Sequence, residues 1–249
     1  SFIKKIWKSL PPSWIVGVFT HLPNGLIKHL GPIDVTIAPT NVCNFSCPLC
    51  PRTKLTRKYG SMSIEHFKHI IDTFPWSVRL VELYLLGEPL MAKDIFLMIK
   101  YARSKGLLVS ISTNASYLEK FTDQVLDSGL SQMIVSVDGA TEETYKQYRI
   151  GGDFPKVIQG IKHFMEEKKR RGLKEPQVIF QFIVMKHNEH EIEAVKELAK
   201  KLGVDHLQLK RVSMMDNRRD LKVQESLKKR FLPTNQKFVR DSFKGEKLD

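Results

Sequence analysis

The feature that most constrains this chain is a strand–helix alternation running from residue 33 to residue 212. Apolar and β-branched runs at 33–38, 80–86, 107–112, 133–137, 177–184 and 206–212 predict six strands. Between them, apolar residues recur every three to four positions over 63–74, 94–104, 117–126, 154–169 and 189–202, which predicts helices. In the first of these, Ile64, Phe67, Ile70, Ile71 and Phe74 form the inward stripe. Gly106, Gly129, Gly172 and Gly203 each follow a helix, where a left-handed residue ends it. Several strands are apolar nearly throughout, as in a parallel sheet covered on its outer face. Successive β/α units of this kind predict an α/β fold: a partial (β/α)6 TIM-like barrel of parallel strands with outer helices. Ligands in such folds gather at the carboxyl ends of the strands, which is where chemistry is expected.

Composition narrows the class. The 249 residues are 42% hydrophobic and 27% charged, ordinary values for a globular chain and wrong for a disordered one. Lys and Arg number 40 against 27 Asp and Glu, a net charge of +13 that favours anionic partners: nucleic acid, an acidic peptide, an acidic redox protein or anionic lipid. Charge alone does not choose among these, and a solvated basic surface accounts for it equally well. No run approaches the ~20 apolar residues of a spanning helix, so no transmembrane segment is expected. The apolar stretch at 14–22 is short and lacks a clear small-residue cleavage site, which argues against a signal peptide. The three cysteines fall in one short cluster, not a disulfide framework, and point to a reducing, cytoplasmic location.

Three regions are expected. Residues 1–31 read as an N-terminal amphipathic helical extension, with Phe2, Ile3, Ile6, Trp7 and Leu10 on one side, Lys4, Lys5 and Lys8 on the other, and Pro11-Pro12 ending it. Such a helix can lie on a membrane or dock on a partner, and packing across one end of the main domain is the reading favoured here. Residues 32–215 form the core domain. Residues 216–249 are a basic tail carrying Arg218, Arg219, Lys222, Lys228, Lys229, Arg230, Lys237 and Arg240, open to three readings: partly helical, disordered, or the start of a further domain.

Cys43, Cys47 and Cys50 stand just after the first strand, in a loop at the ligand-binding end. Three thiolates at C-x3-C-x2-C spacing can hold an iron–sulfur cluster, and a four-iron cluster with three protein ligands leaves one iron open to a cofactor or substrate. A structural zinc site requires four closed ligands. The nearest imidazoles, His66 and His69, lie on the following helix and read as a solvated face.

With this loop and its setting, the span from 33 to 212 resembles the radical SAM superfamily, in particular the branch whose members carry a cysteine-rich SPASM or twitch extension. The resemblance implies that Cys43, Cys47 and Cys50 bind a 4Fe-4S cluster, and that S-adenosyl-L-methionine (SAM) chelates the open iron. One electron then cleaves SAM to methionine and a 5′-deoxyadenosyl radical that abstracts a substrate hydrogen. It further implies that Gly87, Glu88 and Pro89 match the segment holding the methionine amino group, with Leu86 in place of that segment's first glycine. Ser112, Thr113 and Asn114 match the segment near the ribose and carboxylate, with Ala115 where glycine is usual. Ser136 and Asp138, followed by Gly139, match S-x-D-G; Arg149 stands where an arginine meets the SAM carboxylate; and Leu49 takes the position beside adenine often held by an aromatic residue. Strand six would back the adenine.

An electron donor such as flavodoxin or ferredoxin is implied as a partner. Relatives in the branch bind auxiliary clusters through C-terminal cysteines, whereas no cysteine follows Cys50; the abrupt basic ending over 244–249 favours a chain that stops before such a domain over one that lacks it. Lys186, His187, Lys210 and Arg211 lie near strand ends and are open as substrate contacts. The leading substrate expectation is a peptide or protein. The alternatives are RNA or a cofactor precursor, or a non-catalytic iron–sulfur protein for electron transfer or redox sensing.

Overall fold

The computed structural model describes residues 32–213 and 221–240. The amphipathic helix expected over 1–31 lies outside the described residues, as do 214–220 and 241–249 of the tail.

Six strands form one sheet in sequence order, every neighbouring pair parallel: β1 (Asp34–Thr36), β2 (Leu80–Glu82), β3 (Leu108–Thr113), β4 (Gln132–Ser136), β5 (Gln177–Val184) and β6 (His206–Arg211). β1 and β6 are its edges, giving the unclosed partial barrel that the alternation predicts. Partners across a parallel ladder share a face. Val81, Val109, Ile111, Met133, Val135, Phe180 and Phe182 lie on one face and are wholly buried. The other face carries Glu82, Ser110, Ser112, Gln132, Ser136, Gln181 and Gln208. The strands are therefore apolar on their helix-covered side and largely polar on the concave side, a division that near-continuous apolar runs do not suggest.

Three of the helices begin where a side chain satisfies a free amide. Ser63 accepts from the His66 amide at 3.3 Å to start α1 (Ile64–Asp72), which buries Phe67 and Ile71. Next comes α2 (Ile95–Ser104), with Ile95, Met98, Ile99 and Ala102 inward. Only Thr122–Leu126 is helical in α3; residues 117–121, expected to belong to it, are wound into turns. α4 (Glu142–Tyr148), a helix not expected from sequence, is capped by Thr141, which accepts from the Thr144 amide at 3.3 Å. Asp153 accepts from the Lys156 amide at 3.1 Å to open α5 (Phe154–Arg170). α6 (Ile192–Leu202) ends on Gly203 at φ +69°, and the other three helix-ending glycines are likewise left-handed. β2 stops after Glu82, short of residue 86, because the chain leaves the sheet there to build the mouth of a cavity that exposes Leu85.

α7 (Leu221–Phe231) and the turn after it bury Phe231, Leu232, Phe238 and Val239. The Lys186 amide donates to the Phe231 carbonyl at 3.1 Å, and Glu189 accepts from the Thr234 hydroxyl at 2.5 Å and the Asn235 amide at 3.1 Å. The Phe231 ring meets Tyr148 at 5.7 Å and His187 at 5.6 Å between centroids. Burying this one ring is worth roughly 1.5–3 kcal/mol.

Candidate functional site

The loop after β1 turns over the barrel mouth and is pinned from several sides. The Cys50 amide donates to the Cys47 carbonyl at 3.0 Å, and the Ser46 amide to the Ile150 carbonyl at 2.9 Å. Buried Arg52 donates to the Phe45 carbonyl at 2.6 Å. Donors also point at the sulfurs: the Phe45 amide at 3.4 Å and Asn114 Nδ2 at 3.8 Å toward Cys43, and Arg149 Nη1 at 3.9 Å toward Cys47. All three cysteines are free thiols.

The end of β2 is fastened to that loop. Gly87 has φ +86°, and a Cβ there would stand 2.4 Å from the Thr40 carbonyl oxygen, so only glycine lets the two backbones pass. The next amide, of Glu88, donates to the Val42 carbonyl at 2.8 Å. The Glu88 carboxylate is 2% exposed and accepts from the Thr113 hydroxyl at 2.6 Å, the Asn114 amide at 2.7 Å and the Leu90 amide at 3.2 Å. It thereby joins the ends of β2 and β3. Asn114 in turn donates to Asn44 Oδ1 at 2.9 Å, tying β3 to the cysteine loop.

From β4, Asp138 is fully buried and pairs with Arg149 Nη2 at 2.5 Å, while its other oxygen accepts from the Ile183 amide at 2.7 Å. Gly139 lets this turn lie against α4, since a Cβ there would come within 2.5 Å of the Tyr145 amide nitrogen. α4 carries Tyr148 and ends at Arg149.

These ends enclose a cavity of about 250 Å³. Cys43, Cys47, Cys50, Leu49, Gly87, Glu88, Ser112, Asn114, Ser136 and Arg149 all line it. Pro89 and Asp138, also expected to contact a cofactor, do not: Pro89 starts a short helical turn behind Glu88, and Asp138 stands behind Arg149. Sequence reasoning did not single out Phe45, Arg52, Tyr84 and Tyr148 as part of the wall. Of the open candidates, Lys186 bonds the Lys229 carbonyl at 3.3 Å, and His187 packs on Phe231. Lys210 pairs in register with Ile183, a cavity residue, while Arg211 pairs with Val184 on the opposite face. His66 and His69 are exposed.

Burial pushes the Cys43 and Cys47 thiols up, and the charges of Arg52 and Arg149 pull them back. Burial likewise raises the Glu88 carboxyl against its three hydrogen bonds. It would depress Arg149, but the Asp138 and Cys47 charges outweigh it and hold the guanidinium firmly protonated. Among the described residues, no three His, Cys, Asp or Glu side chains converge tightly enough for a single ion. The three thiols line one shared cavity.

A family model described as the radical SAM superfamily matches residues 37–206. The chain belongs to the radical SAM superfamily. Its curated relatives include the Fe-coproporphyrin III synthase of Methanosarcina barkeri, 31% identical over 161 residues, covering 64% of this chain and 39% of the relative. A probable GTP 3′,8-cyclase of Metallosphaera sedula is 28% identical over 181 residues, covering 71% of this chain and 54% of the relative. Among solved structures, Streptococcus suis SuiB bound to S-adenosylmethionine superposes with a TM-score of 0.63 at 18% identity, covering 82% of this chain and 49% of that one. The likeness in structure shows the shared fold. An AdoMet-dependent heme synthase of Oleidesulfovibrio alaskensis is 30% identical over 125 residues, and this radical SAM chain spans 32% to 54% of the length of these three curated relatives. Radical SAM proteins use a 4Fe-4S cluster and SAM, and no helix among the described residues is long and apolar enough to cross a membrane.

Proposed function

We propose that this chain is the core of a radical SAM enzyme, with Cys43, Cys47 and Cys50 as the three ligands of a 4Fe-4S cluster. The observation that carries the reading is that three free thiols line the same cavity as Gly87, Glu88, Ser112, Asn114, Ser136 and Arg149. Donors aimed at Cys43 and Cys47 suit thiolates, and hydrogen bonds of this kind tune cluster potential. When bound, the cluster and SAM supply a 5′-deoxyadenosyl radical by one-electron cleavage of the sulfonium.

The chain's own residues bind, orient and exclude water. Gly87 offers its backbone beside the cysteine loop, and Glu88 retains acceptor capacity for an ammonium because a carboxylate has about four lone-pair sites. Arg149 presents a guanidinium suited to a carboxylate, held in place by Asp138. Ser112, Ser136 and Asn114 supply hydrogen bonds of the kind a ribose takes, and Leu49 gives an adenine ring an aliphatic neighbour. Asp138 and Pro89 act from behind as positioning residues.

For the substrate, the sequence relatives speak for a cofactor precursor: their names specify haem synthesis, Fe-coproporphyrin III synthesis and GTP cyclisation. The peptide reading leans on structures under 20% identical, which share the fold. An auxiliary C-terminal domain and a reducing compartment complete the proposal.

The test is anaerobic reconstitution with iron and sulfide, then SAM and a reductant, with 5′-deoxyadenosine measured by chromatography. The nucleoside should appear and should rise with the correct precursor among Fe-coproporphyrin III, GTP and peptides. A loaded cluster that yields no nucleoside would instead mark an electron-transfer or redox-sensing protein.

A further inference from the structure

The charged groups on the concave face of the sheet are sorted by edge. Residues two apart on a strand share a face, and partners across a parallel ladder share it too. By that register the strand carboxylates of this face are Asp34 on β1 and Glu82 on β2, while His206 and Lys210 stand on β6. Between them β3, β4 and β5 turn only Ser, Gln, Leu and Ile to the same side. The concave face is therefore polarised from one edge of the open barrel to the other.

Of these groups, Glu82 is held on both oxygens. Its Oε2 accepts from the Thr36 hydroxyl at 2.8 Å and its Oε1 from the Tyr84 hydroxyl at 2.5 Å. Burial, and then the Glu82 carboxylate, push the Tyr84 phenol up, so it stays a donor. Tyr84 lines the cysteine cavity, and Glu82 pairs in register with Ser110, one step deeper on β3 than the cavity residue Ser112. The carboxylate is half-buried, and among the described residues no ion pair reaches it. Two neutral hydroxyls leave about two of its roughly four lone-pair sites for another donor.

We infer that Glu82 is the specificity-determining residue of the barrel lumen: it selects a substrate that presents N–H donors to it, with that substrate's anionic part toward Lys210. The inference rests on the cluster and SAM reading above, which fills the cysteine-lined end and leaves the deeper concave face to the substrate. A half-buried carboxylate with no cation beside it is best matched by an N–H fork, as on a guanine edge or a guanidinium, because charge-assisted bonds of that geometry are the strong ones. A site built to bond such a group rejects a ligand without it, since the acceptor is then left unpaired. GTP and an arginine peptide each carry the fork together with anionic groups. Fe-coproporphyrin III is the poorer fit: it brings carboxylates, and its ring nitrogens are taken by iron.

The test uses the reconstituted chain with SAM and no reductant, and calorimetry reads affinity for two matched pairs. GTP is compared with ITP, which lacks the 2-amino donor. A short arginine peptide is compared with its citrulline form, in which a carbonyl replaces one N–H arm. In the unmodified chain the donor-bearing member of one pair should bind about tenfold or more tightly than its mate. Which pair responds separates a nucleotide from a peptide source. In Glu82→Gln that preference should shrink to about twofold or less, a coupling between one side chain and one ligand group that a merely structural Glu82 would not show. Glu82→Asp should restore part of it, and Lys210→Gln should weaken both members of the pair alike.

The inference is overturned if neither pair shows a preference in the unmodified chain, if Glu82→Gln keeps the preference, if Lys210→Gln leaves binding unchanged, or if Fe-coproporphyrin III binds more tightly than either donor-bearing probe. Circular dichroism and iron content establish that Glu82→Gln is folded and loaded. Should it not fold, Tyr84→Phe, which removes one of the two holds on Glu82, carries the same comparison. An unmodified chain that takes up no iron refutes the cluster reading itself, a separate outcome.

Discussion

The Asp138 carboxylate lies 2.5 Å from the Arg149 guanidinium, and the same guanidinium reaches Cys47 Sγ at 3.9 Å. One buried acid therefore sets where a buried cation is presented to the cavity. Asp138→Asn keeps the shape but leaves Arg149 charged and uncompensated, and breaking a buried pair from one side costs about 3–5 kcal/mol. Urea unfolding should show a loss of that order, and SAM affinity should fall with it. A midpoint unchanged to within about 0.5 kcal/mol would mean the pair carries no such strain.

Gly87→Ala tests the fastening of β2 to the cysteine loop. The added methyl meets the Thr40 carbonyl oxygen at 2.4 Å in a backbone with φ +86°. Forcing an L-residue there costs about 1–3 kcal/mol, and relief requires the loop to shift. Circular dichroism should remain that of the folded chain while iron bound per chain after reconstitution drops. Full iron loading would show that the cysteine loop tolerates the displacement.

The alternation of strands and helices was legible because each β/α unit repeats the same burial problem. The cavity wall was legible where residues sit at strand ends, as Ser112 and Ser136 do, and in the Gly87-Glu88 segment that follows β2. What escaped was set by packing between distant segments. Asp138 faces Arg149 and not the cavity because Gly139 lets α4 lie close, and no local pattern reports that. α4 itself left a signal, Thr141 followed by Glu142 and Glu143, which is an N-cap with an acidic first turn. The tail hid its role among basic residues: Phe231 and Phe238 are few, yet each has a site on the core to fill.

His187 gives the tail a pH dependence. Its two ring nitrogens are buried without hydrogen-bond partners, and burial, helped by the nearby Arg230 and His190 charges and opposed by Glu191, lowers it from 6.5 to about 4. The unfolded or detached state binds the proton first, so this stabilisation is complete above pH 6.5 and is lost as pH falls toward 4. Protection factors over 221–240, taken relative to the intrinsic exchange rate at each pH, should fall across that window, and His187→Leu should flatten the response. Protection that stays flat with pH in the unmodified chain would contradict the account.

Phe231→Ala removes the ring that sits between Tyr148 and His187. Truncating a fully buried Phe costs about 3–5 kcal/mol. Here the loss should appear as protease cleavage within 221–240 before the barrel yields. Because Tyr148 lines the cavity, SAM affinity should weaken as well. Cleavage resistance equal to that of the unmodified chain would show that the segment is held elsewhere.

The central claim is that Cys43, Cys47 and Cys50 together hold one four-iron cluster with a free coordination site. Mössbauer and EPR spectroscopy of the anaerobically reconstituted chain, recorded with and without SAM, tests it most directly. The account predicts about four irons and four sulfides per chain, a 4Fe-4S signal that changes when SAM is added, and its loss in Cys47→Ala. A single tightly held zinc with no acid-labile sulfide, or a cluster whose spectrum ignores SAM, would contradict it.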